Sequence, residues 1–173
     1  ISFVESLETF GQNLNDTKPT AFQGVPRIYT KFQEKILMKM PQKKLSKLLK
    51  IPIISWLIKK KLKGALGMSN TRALVTGAAA IPLELLDWYR SIGIYITNGY
   101  GMTENCATCT NLNPYETLGR GSVGKAVPGV ELKISEQGEI LMKGPFLFSN
   151  YYKNEEITKE NLKDGWLQTG DKG

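Results

Sequence analysis

Apolar positions change their period several times along the chain, and each change marks an element. Ile28, Phe32, Ile36, Leu37 and Met40 fall on one stripe at helical spacing, behind a proline, Pro26, suited to an early helical position. Thr20-Ala21-Phe22-Gln23-Gly24 reads as a short strand running into that helix. Ala73-Leu74-Val75-Thr76 makes a second strand that ends at Gly77. A helix is expected from Pro82 to about Ser91, with Leu83, Leu86 and either Tyr89 or the stem of Arg90 on its packed side and Gly93 ending it. The β-branched run Ile94-Tyr95-Ile96-Thr97 then predicts a third, buried strand. Strand, helix, strand with short connections predicts a right-handed parallel crossover. Ligands bind such sheets beyond the carboxyl ends of the strands, so Gly77-Ala78-Ala79 and the stretch from Gly99 to Glu104 should share one cleft.

The texture shifts after Asn113-Pro114. Glycine and proline become frequent, and two short alternating runs appear, residues 129–134 and 138–143, separated by a hairpin-like Ser135-Glu136-Gln137-Gly138. The expected class is therefore α/β: a parallel strand-helix-strand layer in residues 1–112, followed by a β-rich, barrel-like part in residues 113–173. No internal repeat or low-complexity linker interrupts it.

Charge changes the picture in one place. Residues 31–63 carry eleven lysines and one acid, Glu34, for a net +10 within a chain whose total is +7. Pro41 and Pro52 break this stretch into short helices, and Leu45, Leu48, Leu49, Ile53, Ile54, Trp56, Leu57 and Ile58 alternate with the lysines. A basic amphipathic stretch with a tryptophan suits an anionic membrane surface. A helical hairpin packed on the sheet with a solvated lysine face is the other reading. Nucleic acid is excluded as a partner, because no arginine or aromatic pattern reads bases or stacks on them.

Composition then removes several chemistries. The 173 residues are 41% hydrophobic and 23% charged, ordinary for a globular chain, and contain no histidine. Ser-His and Cys-His nucleophiles, histidine bases and most zinc sites go with it. Cys106 and Cys109 form a lone C-x-x-C in what reads as a strand, Ala107-Thr108-Cys109-Thr110, so reduced thiols in a cytoplasmic setting are expected. No apolar run reaches the roughly 20 residues of a spanning helix. The start, Ile1-Ser2-Phe3-Val4-Glu5, has no signal-peptide pattern. With no initiator Met and an end on Asp171-Lys172-Gly173, the sequence reads as a piece of a longer protein.

The most informative run is Asn98-Gly99-Tyr100-Gly101-Met102-Thr103-Glu104. Glycines let the backbone turn and approach a ligand, while a hydroxyl and a carboxylate suit a phosphate oxygen and a divalent cation. The run resembles the signature of the adenylate-forming superfamily, which makes acyl-AMP from a carboxylate and ATP. Thr76-Gly77-Ala78-Ala79-Ala80-Ile81-Pro82 resembles its adenine-site turn, and Trp166-Leu167-Gln168-Thr169-Gly170-Asp171 its ribose-site motif, in the same order. Val25-Pro26-Arg27 with the helix behind it is similar to the long-chain and bubblegum-type acyl-CoA synthetases. Arg27 itself has a surface or capping ion pair as an equal alternative.

The resemblance implies two half-reactions: attack of a carboxylate on the α-phosphate of Mg-ATP, then transfer of the acyl group to coenzyme A. By motif match, Gly77, Ala78 and Ala79 would line the adenine and Tyr100 would stack on it. Asn98, Gly99, Gly101 and Met102 complete the nucleotide loop. Thr103 would donate to the α-phosphate, Glu104 would hold Mg²⁺, and Asp171 would accept both ribose hydroxyls. Phe22, Val25, Gly99 and Gly124 would border the fatty acid. The family's lysine-bearing phosphate loop and its carboxyl-terminal lysine are not in this sequence, so the 173 residues alone are expected to be inactive. Two alternatives remain: a ligase for another carboxylic acid, or a non-catalytic lipid- or membrane-binding module on the same fold.

Overall fold

The computed structural model describes residues 5, 6, 8–112 and 121–173. The boundary expected at residue 113 and the first four residues lie outside them. The chain divides into two compact units, Ile1–Asn98 and Gly99–Gly173.

The first unit runs α1 (Phe10–Thr17), β1 (Ala21–Gln23), α2 (Pro26–Lys39), α3 (Gln42–Leu49), α4 (Pro52–Ala65), β2 (Ala73–Thr76), α5 (Leu83–Ser91) and the start of β3 (Thr97–Tyr100). Proline opens α2 and α4 at their first turns, where its missing N–H costs nothing. β1 pairs with β2, and β2 with β3, both parallel, with Phe22 opposite Leu74 and Thr76 opposite Asn98. The expected parallel β2-α5-β3 layer is present.

Its core is aromatic. Phe10 stacks on Phe32 at 5.9 Å between ring centroids, and Phe22 meets Phe10, Tyr29 and Phe32 at 6.0–6.3 Å. Tyr29 is fully buried, and its hydroxyl donates to the Val75 carbonyl at 2.9 Å; the Tyr89 hydroxyl donates to the Tyr29 carbonyl at 2.6 Å. Buried phenols need such acceptors. Burial raises the pKa of both well above the usual tyrosine value, so both stay neutral donors.

Two expectations shift here. α5 buries Leu85, Trp88 and Tyr89, while Leu83 and Leu86 are only half-buried. The helical period admits either phase, and the two large rings win the buried side. The strand expected at residues 94–97 occupies Thr97–Tyr100 instead; Ile94 and Ile96 are buried without joining the ladder. β-branching reported burial there rather than strand position.

The second unit holds the end of β3, then β4 (Thr110–Asn111), β5 (Lys125–Ala126), β6 (Glu131–Ile134), β7 (Glu139–Lys143), α6 (Glu155–Asn161), β8 (Leu162–Lys163) and β9 (Trp166–Lys172). Gly99 and Tyr100 pair antiparallel with Asn111 and Thr110, and β4 pairs antiparallel with β5. β6 to β9 form an antiparallel sheet in the order β6-β7-β9-β8. The predicted hairpin at residues 135–138 joins β6 to β7. The barrel-like expectation is corrected: among the described residues this sheet is open, with β6 and β8 as unclosed edges. Short alternating strands with turn residues are common to open sheets and barrels, so the pattern could not choose between them.

Candidate functional site

β3 delivers the central motif, and an irregular turn shapes it. Gly101 leads into a 3-10 turn, Thr103–Asn105, followed by two residues in the left-handed region, Cys106 (φ 53°) and Ala107 (φ 55°). Asn105 holds the turn together. It is fully buried, its Oδ1 accepts from the Met102 backbone N–H at 2.9 Å, and its Nδ2 donates to the Met142 sulfur at 3.2 Å. The Ala107 N–H returns to the Met102 carbonyl at 2.8 Å. That closure brings the Ala107 carbonyl carbon within 2.3 Å of where a Cβ on Gly101 would sit, so only glycine fits.

The same turn corrects the strand expected at residues 107–110, which begins only at Thr110. Both cysteines are free: Cys106 is exposed, and burial pushes the Cys109 thiol up to about 11.

Turn geometry presents Thr103 to solvent and leaves Glu104 half-buried. Glu104 Oε1 accepts from the Tyr151 hydroxyl at 2.7 Å, and the Glu104 carbonyl accepts from the Phe148 N–H at 2.8 Å. The Glu104 bond raises the Tyr151 phenol, keeping it a donor. One carboxylate oxygen is thus oriented by a phenol 47 residues away.

Asp171 reaches its place through a bulge. Glu139 pairs with Lys172 and Leu141 with Gln168, so β9 carries two extra residues across that interval. Gly170 takes φ 73°, its N–H donating to Glu139 Oε1 at 2.8 Å, and Thr169 donates to the Ile140 carbonyl at 2.7 Å. Bulges re-aim side chains. Here the re-aimed carboxylate accepts the Tyr100 hydroxyl at 2.5 Å, across 71 residues of sequence. Burial, then that bond, pushes the Tyr100 phenol up to about 12.

In the first unit, Gly77 follows β2 and Ala78 sits in the left-handed region (φ 64°), with Ala78 and Ala79 exposed. Thr76, just before them, is fully buried, and its Oγ1 has no hydrogen-bond partner among the described residues. Asn98 is buried opposite Thr76 in the ladder. The Phe22 ring is committed to the aromatic core, and Val25 caps α2 with its side chain exposed. Gly124 (φ 94°) lies tight against the Asn111 carbonyl.

The structure therefore brings Tyr100 to Asp171. It also adds three residues that sequence reasoning did not assign: Asn105, Tyr151 and Thr169. A lone asparagine carries no pattern. Tyr151 lies outside the three runs that resemble the family's nucleotide motifs.

Comparison with known proteins shows the family of the chain. The AMP-binding enzyme family matches residues 4–152, and the chain belongs to that family. It is 42% identical to a long-chain-fatty-acid–CoA ligase of Mycobacterium bovis over 117 residues, covering 68% of this chain and 19% of that protein. It is 33% identical to long chain acyl-CoA synthetase 4 of Arabidopsis thaliana, covering 94% of this chain and 29% of the relative. Among solved structures, O-succinylbenzoate coenzyme A synthetase from Bacillus subtilis in complex with ATP and magnesium ion is 26% identical with a TM-score of 0.64, covering 96% of this chain and 31% of that one. The chain thus spans less than a third of the length of these relatives.

Proposed function

We propose that this chain carries the nucleotide-binding part of an ATP-dependent long-chain fatty-acid–CoA ligase. The observation that carries the reading is the Tyr100–Asp171 contact. It sets an aromatic face beside a carboxylate, the pair that an adenosine needs for its base and its ribose hydroxyls. Identity of 42% and 33% to long-chain acyl-CoA ligases supports the fatty-acid substrate over other acids.

In this reading Gly77, Ala78 and Ala79 border the adenine, and Tyr100 stacks on it. The buried Asn98 and the Gly99-Gly101-Met102 backbone form the turn under the phosphates. Thr103, exposed at the head of its 3-10 turn, donates to the α-phosphate. Glu104, its carboxylate oriented by Tyr151, would hold Mg²⁺. The donor set fits that ion, which characteristically takes one or two carboxylates and completes its shell with water and substrate phosphates. Bound there, the ion would neutralise developing phosphate charge.

The chain's own work is alignment and electrostatic stabilisation, which needs no histidine. The neutral Tyr100 phenol orients one oxygen of Asp171, leaving the other for ribose. Phe22, Val25, Gly99 and Gly124 are the candidate neighbours of the acyl chain. Coenzyme A enters in the second half-reaction. Peripheral contact with an anionic surface through residues 31–63 belongs to the same reading. Among the described residues no helix is long and apolar enough to cross a membrane.

The test is titration calorimetry with a non-hydrolysable acyl-adenylate analogue on the full-length ligase and on its Asp171→Ala variant. A fall in affinity of about tenfold or more is expected from losing a carboxylate–hydroxyl pair. Equal affinity in the two proteins would remove Asp171, and with it the carrying observation. The 173 residues alone are expected to show no ATP-dependent thioester formation.

A further inference from the structure

Helix α4 is the least embedded part of the first unit. None of its residues is buried, yet it is rich in large apolar side chains. Ile58 and Leu62 pack inward on the core. At 100° per residue the opposite face carries Ile53, Trp56, Leu57 and Lys60. There Ile53 is 76% exposed, Trp56 62% and Leu57 52%, with Ile51 at 48% just before the helix. Four large apolar side chains within seven residues make a contiguous patch of the kind that marks an interaction site.

Its surroundings say which partner. No acidic residue occurs between Glu34 and Glu84, an interval holding ten lysines and one arginine. Lys43, Lys44, Lys47 and Lys50 on and after α3, and Lys60 and Lys61 on α4, are all exposed. The Lys60 ammonium sits 5.3 Å from the Trp56 ring centroid, so cation and aromatic share one edge. A second copy of this chain would set these lysines against their own kind. A soluble anion would leave Ile53, Trp56 and Leu57 in water. An anionic bilayer surface satisfies both parts at once: acyl chains take the apolar stripe, and headgroups take the ammonium groups.

We propose that α4 is an interfacial helix which lies on an anionic membrane with Ile53, Trp56 and Leu57 inserted below the headgroups and the lysines of α3 and α4 at headgroup level. The proposal rests on the contact of residues 31–63 with an anionic surface, and not on the ligase chemistry.

The experiment uses the full chain with vesicles of phosphatidylcholine alone, or with phosphatidylglycerol added, some carrying brominated acyl chains. Binding should require the anionic lipid and weaken with salt. Brominated chains should quench a Trp56 component, read as the wild-type signal minus that of Trp56→Phe, because Trp88 is buried in the core and the half-buried Trp166 is common to both proteins. Ile53→Ser with Leu57→Ser should reduce vesicle binding by about tenfold or more. Lys60→Gln and Lys61→Gln should each reduce it by about fivefold. Circular dichroism of each variant confirms that the fold is kept, which these exposed positions favour.

No binding to anionic vesicles would overturn both this proposal and the broader surface contact. Binding without quenching of Trp56, or unchanged binding by the Ser pair, would overturn the inserted helix while leaving a purely electrostatic contact. A concentration-dependent dimer that shields Trp56 would also overturn it. None of these results bears on the adenylate-binding test.

Discussion

Two turns, one in each unit, carry the motifs that resemble a nucleotide site, and they are built in opposite ways. The turn after β3 is held by its interior: a glycine nothing else can replace, a fully buried asparagine bonded to backbone and sulfur, and a tyrosine fixing the one acid. Among the described residues the turn after β2 has no such interior. Its alanines are exposed, one sits in the left-handed region, and the hydroxyl beneath them bonds to none of the described residues. The first turn spends buried polar contacts to fix charged and hydroxyl groups in place. The second keeps a small, strained backbone surface. Positions that hold groups should be intolerant, and positions that merely stay small should have stability to gain.

The largest expected effect is at Gly101. A Cβ there meets backbone atoms of Ala107 at 2.3–2.7 Å, and backbone cannot swing aside as a side chain can. Gly101→Ala should destabilise the protein by roughly 4 kcal/mol, measured by urea denaturation. A loss under 1 kcal/mol would mean the turn is not closed as described. Asn105→Ala comes next at roughly 2–3 kcal/mol, because it empties a buried site and strands the Met102 N–H. A neutral result would remove the claimed interior and with it the contrast between the turns.

Tyr100→Phe is smaller, about 1 kcal/mol, since its partner Asp171 is exposed. This variant also carries a pH signature. The folded-state phenol is raised to about 12 from 10.0, so its neutral form is favoured by folding. The stability it contributes is intact below the unfolded value and is lost as pH rises from 10.0 toward 12. Denaturation midpoints across that window should fall more steeply for the wild type than for Tyr100→Phe. Parallel curves would argue against the Asp171 bond.

The same contrast explains what could be read beforehand. The parallel layer, the proline-led helices and the β6–β7 hairpin were legible because each rests on local spacing or a single punctuating residue. The position of β3 was not. Ile94 and Ile96 carry the strongest strand propensity in the region, but the ladder is set by what β2 offers, and Val75 takes Thr97 as its partner. The candidate site divides in the same way. Tyr100, Glu104 and Asp171 stand in runs whose residue types state their chemistry. Asn105 and Tyr151 hold those groups from outside the pattern, through contacts that only a folded chain creates. Neither could be read from spacing, because a buried amide and a phenol take their roles from neighbours 37 and 47 residues away.

In the other turn, substitution should help. Ala78→Gly removes the cost of a Cβ at φ 64° but loosens the unfolded chain, for a net gain of about 0.5–1 kcal/mol. A loss instead would show that the methyl group packs on something that its exposure does not reveal.

The smallest expected effect is the most diagnostic. Thr76 is fully buried at the end of β2, and its hydroxyl bonds to nothing among the described residues. Valine keeps the branched shape that suits a strand and removes the orphaned group, so Thr76→Val should gain a few tenths to about 1 kcal/mol. The matching change directly across the ladder, at Asn98, is not equivalent, because Asn98 has an interaction to lose. If Thr76→Val is destabilising, the hydroxyl has a partner after all, and a buried water is the natural one. The turn after β2 would then have a polar interior like its counterpart after β3. A gain would leave the two turns as different in energy as they are in geometry, one fixed by its contacts and the other merely kept small.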